Sequence, residues 1–279
     1  MMQVSLPTAN AFLDRLPPAS LERLLPLLER VRVQRDQVID EPAYPMKYAD
    51  FPVTALLSLI GHSENGSTLE LDMIGAEDMK GLPKLLSAIW IPAAPVQFVV
   101  QESGEVLRLK ASAFQAAVEQ DRELHRAVCL FYAGRLAEAN LIAFCNRFHS
   151  VDQQLSRWLL RRLSHTRKPE FDITHERIAA LLGVRRQAVQ LAARKLQRAG
   201  TLSYRHGHVR VLNPSGLEAS SCGCHETIVS IRKSLDDDML KDRHLALPAA
   251  GTKPIRGAAG ASKTSWNVTA ESSGERDSR

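Results

Sequence analysis

Residues 174–199 read Thr174-His-Glu-Arg-Ile-Ala-Ala-Leu-Leu-Gly183-Val-Arg-Arg-Gln-Ala-Val-Gln-Leu-Ala-Ala-Arg-Lys-Leu-Gln-Arg-Ala199. The apolar positions Ile178, Ala179, Leu182, Val184, Val189 and Ala192 have the spacing of two short helices packed at a steep angle. Ala179 is small where the helices come closest, and Gly183 falls where the turn needs a left-handed residue. The spacing predicts a helix-turn-helix with Thr174 as the cap of its first helix. Any pair of packed helices can present a basic face, so the pairing alone decides nothing. The glycine at the turn, the small residue five positions into the motif and the polar cluster opening the second helix favour the more specific motif.

That cluster is Arg185, Arg186, Gln187 and Gln190. Such side chains reach both phosphates and base edges in a major groove, so the segment implies double-stranded DNA as partner. Arg186, Gln187 and Gln190 are the expected base readers, because arginine pairs bidentately with guanine and glutamine with adenine. Arg185, Arg194, Lys195 and Arg205, with Thr174, are expected at phosphates. Leu202 to Leu212 follows as two short β-runs around His206-Gly207-His208, a hairpin that adds a wing.

Charge is distributed to match. Residues 150–225 carry 13 Lys and Arg against 5 Asp and Glu, whereas residues 1–149 carry 14 against 18. A basic segment on an otherwise acidic chain is what release of counterions from DNA requires.

Upstream, Pro17-Pro18-Ala19-Ser20 precedes a short helical lead-in with Leu21, Leu24, Leu25 and Leu28 on one face. From Val31 to Leu109 the period shortens to that of strands: Val31–Val33, Gln37–Ile39, Leu56–Ile60, Thr68–Leu71, Val96–Val100 and Glu105–Leu109. Short strands at near-regular spacing predict a small barrel or roll. A helical stretch follows from about Ala113 to Phe148. Along it Leu124, Val128, Phe131, Arg135, Glu138, Ile142 and Cys145 recur at steps of three and four, as in a coiled-coil seam that Arg135 and Glu138 interrupt. Leu124, Val128, Phe131 and Ile142 are the expected dimer contacts; a helix packed on its own roll is the other expectation, and both can hold at once on different faces. Leu155, Trp158, Leu159 and Leu163 then line one face of a further helix.

This order of parts resembles the Crp–Fnr family of bacterial transcription regulators over roughly residues 9 to 225. The resemblance is carried by Gly75-Ala-Glu-Asp-Met-Lys-Gly81-Leu-Pro, Cys145-Asn-Arg-Phe-His149-Ser and Leu182-Gly-Val-Arg-Arg-Gln187. Asn146–Ser150, Gly183–Arg186 and Ala219-Ser-Ser-Cys222-Gly-Cys224 resemble one branch whose members lack a known nucleotide and whose Cys-x-Cys opens a final helix. It implies an α+β fold: an N-terminal cyclic-nucleotide-binding-like β-roll (a double-stranded β-helix), a long central dimerisation helix and a C-terminal winged helix-turn-helix. The expected parts are a sensor roll at 1–112, a dimer helix at 113–149, the DNA-binding domain at 150–225, a C-terminal helix at 226–246 and a disordered tail at 247–279.

The resemblance also implies a test. Relatives that bind a cyclic nucleotide enclose its phosphate with an arginine, a fork suited to phosphate oxygens. Here the corresponding stretch, Met79 to Pro95, has no arginine, and Ile91, Pro92, Ala93 and Ala94 stand in its place. Lys80 and Lys84 read as solvated. No cAMP or cGMP binding is expected, and the roll is left without an assigned effector.

Neither a cofactor nor a metal is expected. Cys222-Gly-Cys224-His225 is the one local group of soft ligands, and no fourth ligand is apparent nearby, so incidental cysteines are the expectation. No nucleophile, base and orienter assemble, no phosphate loop appears and the chain is not expected to be an enzyme. No run approaches the ~20 apolar residues of a membrane span, and no signal pattern opens the chain. A cytoplasmic homodimer follows, with RNA polymerase as a candidate partner and no membrane. An architectural DNA-binding protein with a vestigial roll, or a protein-binding sensor with secondary DNA contact, are the alternatives.

Overall fold

The computed structural model describes residues 8–40, 47–81 and 96–240. The lead-in is two short helices, α1 (Ala11–Asp14) and α2 (Pro18–Leu24), and a 3-10 turn (Leu25–Leu27). Asn10 caps α1 by accepting from the Leu13 N–H. Its own amide donates to the carbonyls of Pro52 at 2.9 Å and Asp78 at 2.8 Å, fixing the lead-in to the strands that follow.

Those strands are β1 (Glu29–Val33), β2 (Val38–Asp40), β3 (Tyr48–Pro52), β4 (Leu56–His62), β5 (Thr68–Ile74), β6 (Val96–Glu102) and β7 (Gly104–Lys110). They form two antiparallel sheets, in the orders β1-β7-β3 and β2-β6-β4-β5. The six expected strands are all present. The seventh, β3, has no alternating pattern because Asp50 lies on its buried run beside Ala49, Phe51 and Pro52. Asp50 is tolerated there because Lys80 reaches it at 2.9 Å and Arg108 at 2.5 Å. Pro52 lacks a ladder donor and sits on an edge strand, where none is needed. Lys80, read from sequence as solvated, is thus buried and ion-paired. Lys84, the Ile91–Ala94 replacement and the tail at 247–279 lie outside the described residues.

The long helical stretch breaks once. α3 (Ala111–Gln120) ends at Asp121, whose extended backbone starts α4 (Arg122–Phe148) and whose carboxylate accepts from the N–H groups of Glu123 and Leu124. α4 holds an 18-residue stretch of mean hydropathy 1.4, so by length and composition it could cross a membrane, contrary to the expectation from sequence. Its interior argues for a packed helix instead. Leu124 and Val128 are buried in one core with Phe12, Phe51 and Phe114. Mid-helix, Arg135 and Glu138 join an ion network in which Arg135 meets Asp72 and Asp78, and Glu138 meets Arg161 and Arg232.

Beyond α4 come α5 (Val151–Thr166), β8 (Glu170–Asp172), α6 (His175–Leu182), α7 (Arg186–Arg198), β9 (Leu202–Arg205), β10 (His208–Val211), α8 (Pro214–Ser220) and α9 (Gly223–Leu240). Strands β8, β10 and β9 make a third antiparallel sheet. One apolar core runs through this region and into the roll. Leu155, Trp158 and Leu159 of α5 pack with Ile178, Leu182, Val189 and Leu196, and the same cluster includes Leu56, Ile60, Met73 and Val99 of the roll.

Candidate nucleic-acid interface

The expected motif is α6, a turn and α7. Thr174 caps α6, its hydroxyl accepting the Arg177 N–H at 3.2 Å. Gly183 closes α6 in the left-handed conformation at φ 64°, and the Val184 N–H reaches back to the Ala179 carbonyl at 3.0 Å. Ile178, Ala179, Leu182, Val189 and Ala192 are buried and Val184 packs half-buried against them. The apolar spacing read from sequence is therefore the packing surface between the two helices.

Arg185 is the residue before α7, so Arg186 and Gln187 occupy its first turn with their side chains exposed. The positive end of a helix dipole sits at this turn, an arrangement that favours nearby phosphate. Gln190 is half-buried one turn on, and Arg194 is exposed. Leu191 lies on the same outward face and is 65% exposed, a position that sequence reasoning missed because a leucine there looks like core. An apolar side chain on such a face suits the methyl group of thymine. Two cations have partners within the chain: Arg186 lies 3.8 Å from Glu176, and Lys195 lies 2.5 Å from Asp152 on α5.

The wing is β9 and β10. His206 and Gly207 both have positive φ, 50° and 82°, as a tight hairpin requires. Arg205 is exposed beside this turn. On the outer face Arg210 pairs with Glu170 at 3.0 Å and His208 with Asp172 at 2.8 Å, so part of the wing's positive charge is neutralised. These two acids hold the His208 imidazole above its usual range, chiefly through the Asp172 hydrogen bond. Between the start of α7 and the wing, a concavity of about 440 Å³ is lined by Thr174, His175, Arg186, Tyr204 and His206 among others. Burial and the neighbouring Arg186 and Arg194 hold the His175 imidazole down.

The expected dimer contacts need correction. Leu124 and Val128 are fully buried in the chain's own core, Ile142 is buried, and Phe131 packs against Phe12 with ring centroids 5.3 Å apart. The stripe at three-and-four spacing is wide, and its inner half is used by the roll and α9. The outer half leaves Cys129, Ala133, Leu136, Asn140 and Ala143 exposed, again at alternating steps of four and three. Leu136 is 65% exposed and Phe144 beside it 52%.

Residues 153–220 match the family model of the Crp-like helix-turn-helix domain. No curated protein matches the chain in sequence. Among solved structures, a protein from Eubacterium rectale assigned to the Crp/Fnr transcriptional regulators is similar with a TM-score of 0.57. It is 20% identical over 74% of this chain and 95% of that one. FixK2 from Bradyrhizobium japonicum is similar with a TM-score of 0.56 and 16% identity, over 70% of this chain and 98% of that one. A Crp/Fnr-family regulator from Thermus thermophilus gives 0.54 and 20% identity, over 69% and 98%. Residues 153–220 therefore form a Crp-like helix-turn-helix domain, and the chain has the fold seen in these solved Crp/Fnr-family regulators.

Proposed function

We propose that the chain is a sequence-specific regulator that binds double-stranded DNA as a homodimer, with α7 in the major groove and the wing on the backbone. The observation that carries this is the exposed run Arg185–Gln187 opening α7, on a domain of Crp-like type whose surrounding segment has a charge of +8. Arg186, Gln187 and Gln190 read bases; Arg185, Arg194, Lys195 and Arg205, with Thr174, meet phosphates. The dimer forms along the outward seam of α4 through Leu136 and its neighbours, with Asn140 setting register as a polar seam residue does.

In this reading residues 1–112 are the sensor, 113–149 the dimerisation segment, through α4, and 150–225 the DNA-binding part, with α9 as the closing helix. The protein acts in the cytoplasm, where DNA and RNA polymerase are, and is not an enzyme. Its effector is not a cyclic nucleotide, because the stretch through Ile91–Ala94 carries no arginine. Random-site selection with the purified full chain tests the proposal. The expected product is a near-palindrome with half-sites about 34 Å apart. Enrichment of no common sequence would overturn it in favour of architectural binding.

A further inference from the structure

Cys145 and His149 lie four residues apart at the end of α4, so both project from one side of the helix terminus. Cys222 and Cys224 flank Gly223 where α9 begins. The fold brings the two pairs together: Cys145 Sγ is 3.5 Å from Cys222 Sγ, and Cys224 Sγ is 3.6 Å from His149 Nδ1. The four ligand atoms all lie within 4.8 Å of one another; the three thiols are buried and the histidine half-buried. The fourth ligand that seemed missing is thus supplied 70-odd residues upstream, and His225, the neighbour in sequence, stands outside the group.

We propose that Cys145, His149, Cys222 and Cys224 bind a single zinc ion in tetrahedral coordination. With Zn–S near 2.3 Å and Zn–N near 2.0 Å, ligand atoms around a tetrahedral ion lie ~3.5–3.8 Å apart, close to the Cys145–Cys222 and Cys224–His149 separations here. A three-cysteine, one-histidine set is a closed structural type with no open position for chemistry. An iron–sulfur cluster fits poorly, because bridging sulfides hold its ligand sulfurs farther apart than these atoms are.

Charge supports the assignment independently. Three thiolates and a neutral imidazole around Zn²⁺ sum to one negative charge, costly to bury unpaired. Arg157 of α5, itself buried, donates from Nε to Cys145 Sγ at 3.3 Å and neutralises that charge. Its Nη2 is held by the Asn146 side chain at 3.4 Å. The ion would therefore fasten the start of α9 to the junction of α4 and α5, at the entry to the winged helix.

The test uses the full reduced chain and does not involve DNA, so its outcome is separate from that of the proposed function. Zinc is expected at one ion per chain by elemental analysis. The metal-free chain is expected to take up one Co²⁺, with the strong visible bands of tetrahedral ligation and a near-ultraviolet thiolate charge-transfer band. Cys145→Ser, Cys222→Ser and Cys224→Ser should each abolish those bands, whereas Cys129→Ser and His225→Ala should retain them. Arg157→Gln should weaken cobalt affinity ~10–100-fold. If a cysteine variant fails to fold, alkylation of the wild-type chain with and without metal decides: metal should slow modification of Cys145, Cys222 and Cys224 and leave the rate at Cys129 unchanged. A folded, reduced chain without metal or cobalt bands would overturn the proposal. So would equal alkylation of all four thiols with metal present, or a Cys145–Cys222 disulfide as the native form.

Discussion

The indole N–H of Trp158 donates to a carboxylate oxygen of Glu70 at 2.7 Å, joining α5 of the Crp-like helix-turn-helix domain to strand β5 of the roll. Ser58 donates to the other oxygen, so the buried carboxylate is held by one partner from each side. Burial nevertheless pushes the Glu70 carboxyl above its ordinary range, more strongly than these hydrogen bonds pull it down. Trp158→Phe keeps most of the apolar contact and removes the donor. It is expected to cost about 1–3 kcal/mol, because a buried acceptor is left short of a partner. Chemical denaturation monitored by circular dichroism checks this, with an unchanged midpoint as the contrary result.

Arg186→Ala is expected to lose ~1–3 kcal/mol of operator affinity and to relax a single base position. Arg194→Ala should instead weaken all sequences alike and lower the salt slope by about 1. Binding isotherms on the selected operator and its single-base variants, at several salt concentrations, distinguish the two roles. Uniform loss with Arg186→Ala would move that residue to the phosphates.

Leu136→Glu places a charge on the outward seam of α4 without touching the core. It should dissociate the dimer in sedimentation experiments and leave the melting temperature of the subunit nearly unchanged. A dimer that survives this substitution would put the interface elsewhere.

Gly183→Ala tests the turn. The added Cβ would stand in a left-handed conformation and approach the Leu69 side chain of the roll to 3.0 Å. About 1–2 kcal/mol of strain is expected from the backbone alone. Leu69→Ala should restore part of any further loss, as read from thermal melts of the single and double variants.

Asp78 provides a pH dependence. It faces Arg135 and Glu138 of α4, His165 of α5, and Arg232 of α9, with Glu77 beside it. Burial raises its carboxyl from 3.8 to about 6 despite Arg232. Between these values the folded chain holds a proton that the unfolded chain has released. The contribution to stability is therefore full below about pH 4 and is lost as pH rises to about 6. The advantage of the native protein over Asp78→Asn should fall by on the order of 3 kcal/mol across that window. Urea denaturation of both proteins from pH 4 to 7 measures it, and a constant difference would contradict the assignment.

The helix-turn-helix was legible because its signals are local: a glycine at a turn, an alanine at a crossing and polar residues at a helix start all lie within 26 residues. β3 was not, because Asp50 is acceptable in its buried run only through Lys80 and Arg108, which sequence order places far away. Arg135 and Glu138 looked like faults in a seam; they are the inward-facing half of an ion network that reaches α9. The ligand set around Cys222 was hidden for the same reason, since Cys145 and His149 approach it only through tertiary packing. Local geometry can be read along the chain, whereas pairing of buried charges and thiols depends on contacts that no short window contains.

Leu56, Ile60, Met73 and Val99 of the roll share one apolar cluster with Trp158, Leu182 and Val189. Parts joined in this way cannot change their relative orientation without first exposing that surface to water. Operator DNA, by thermodynamic reciprocity, would shift the roll's affinity for its effector by the same factor that the effector shifts affinity for the operator.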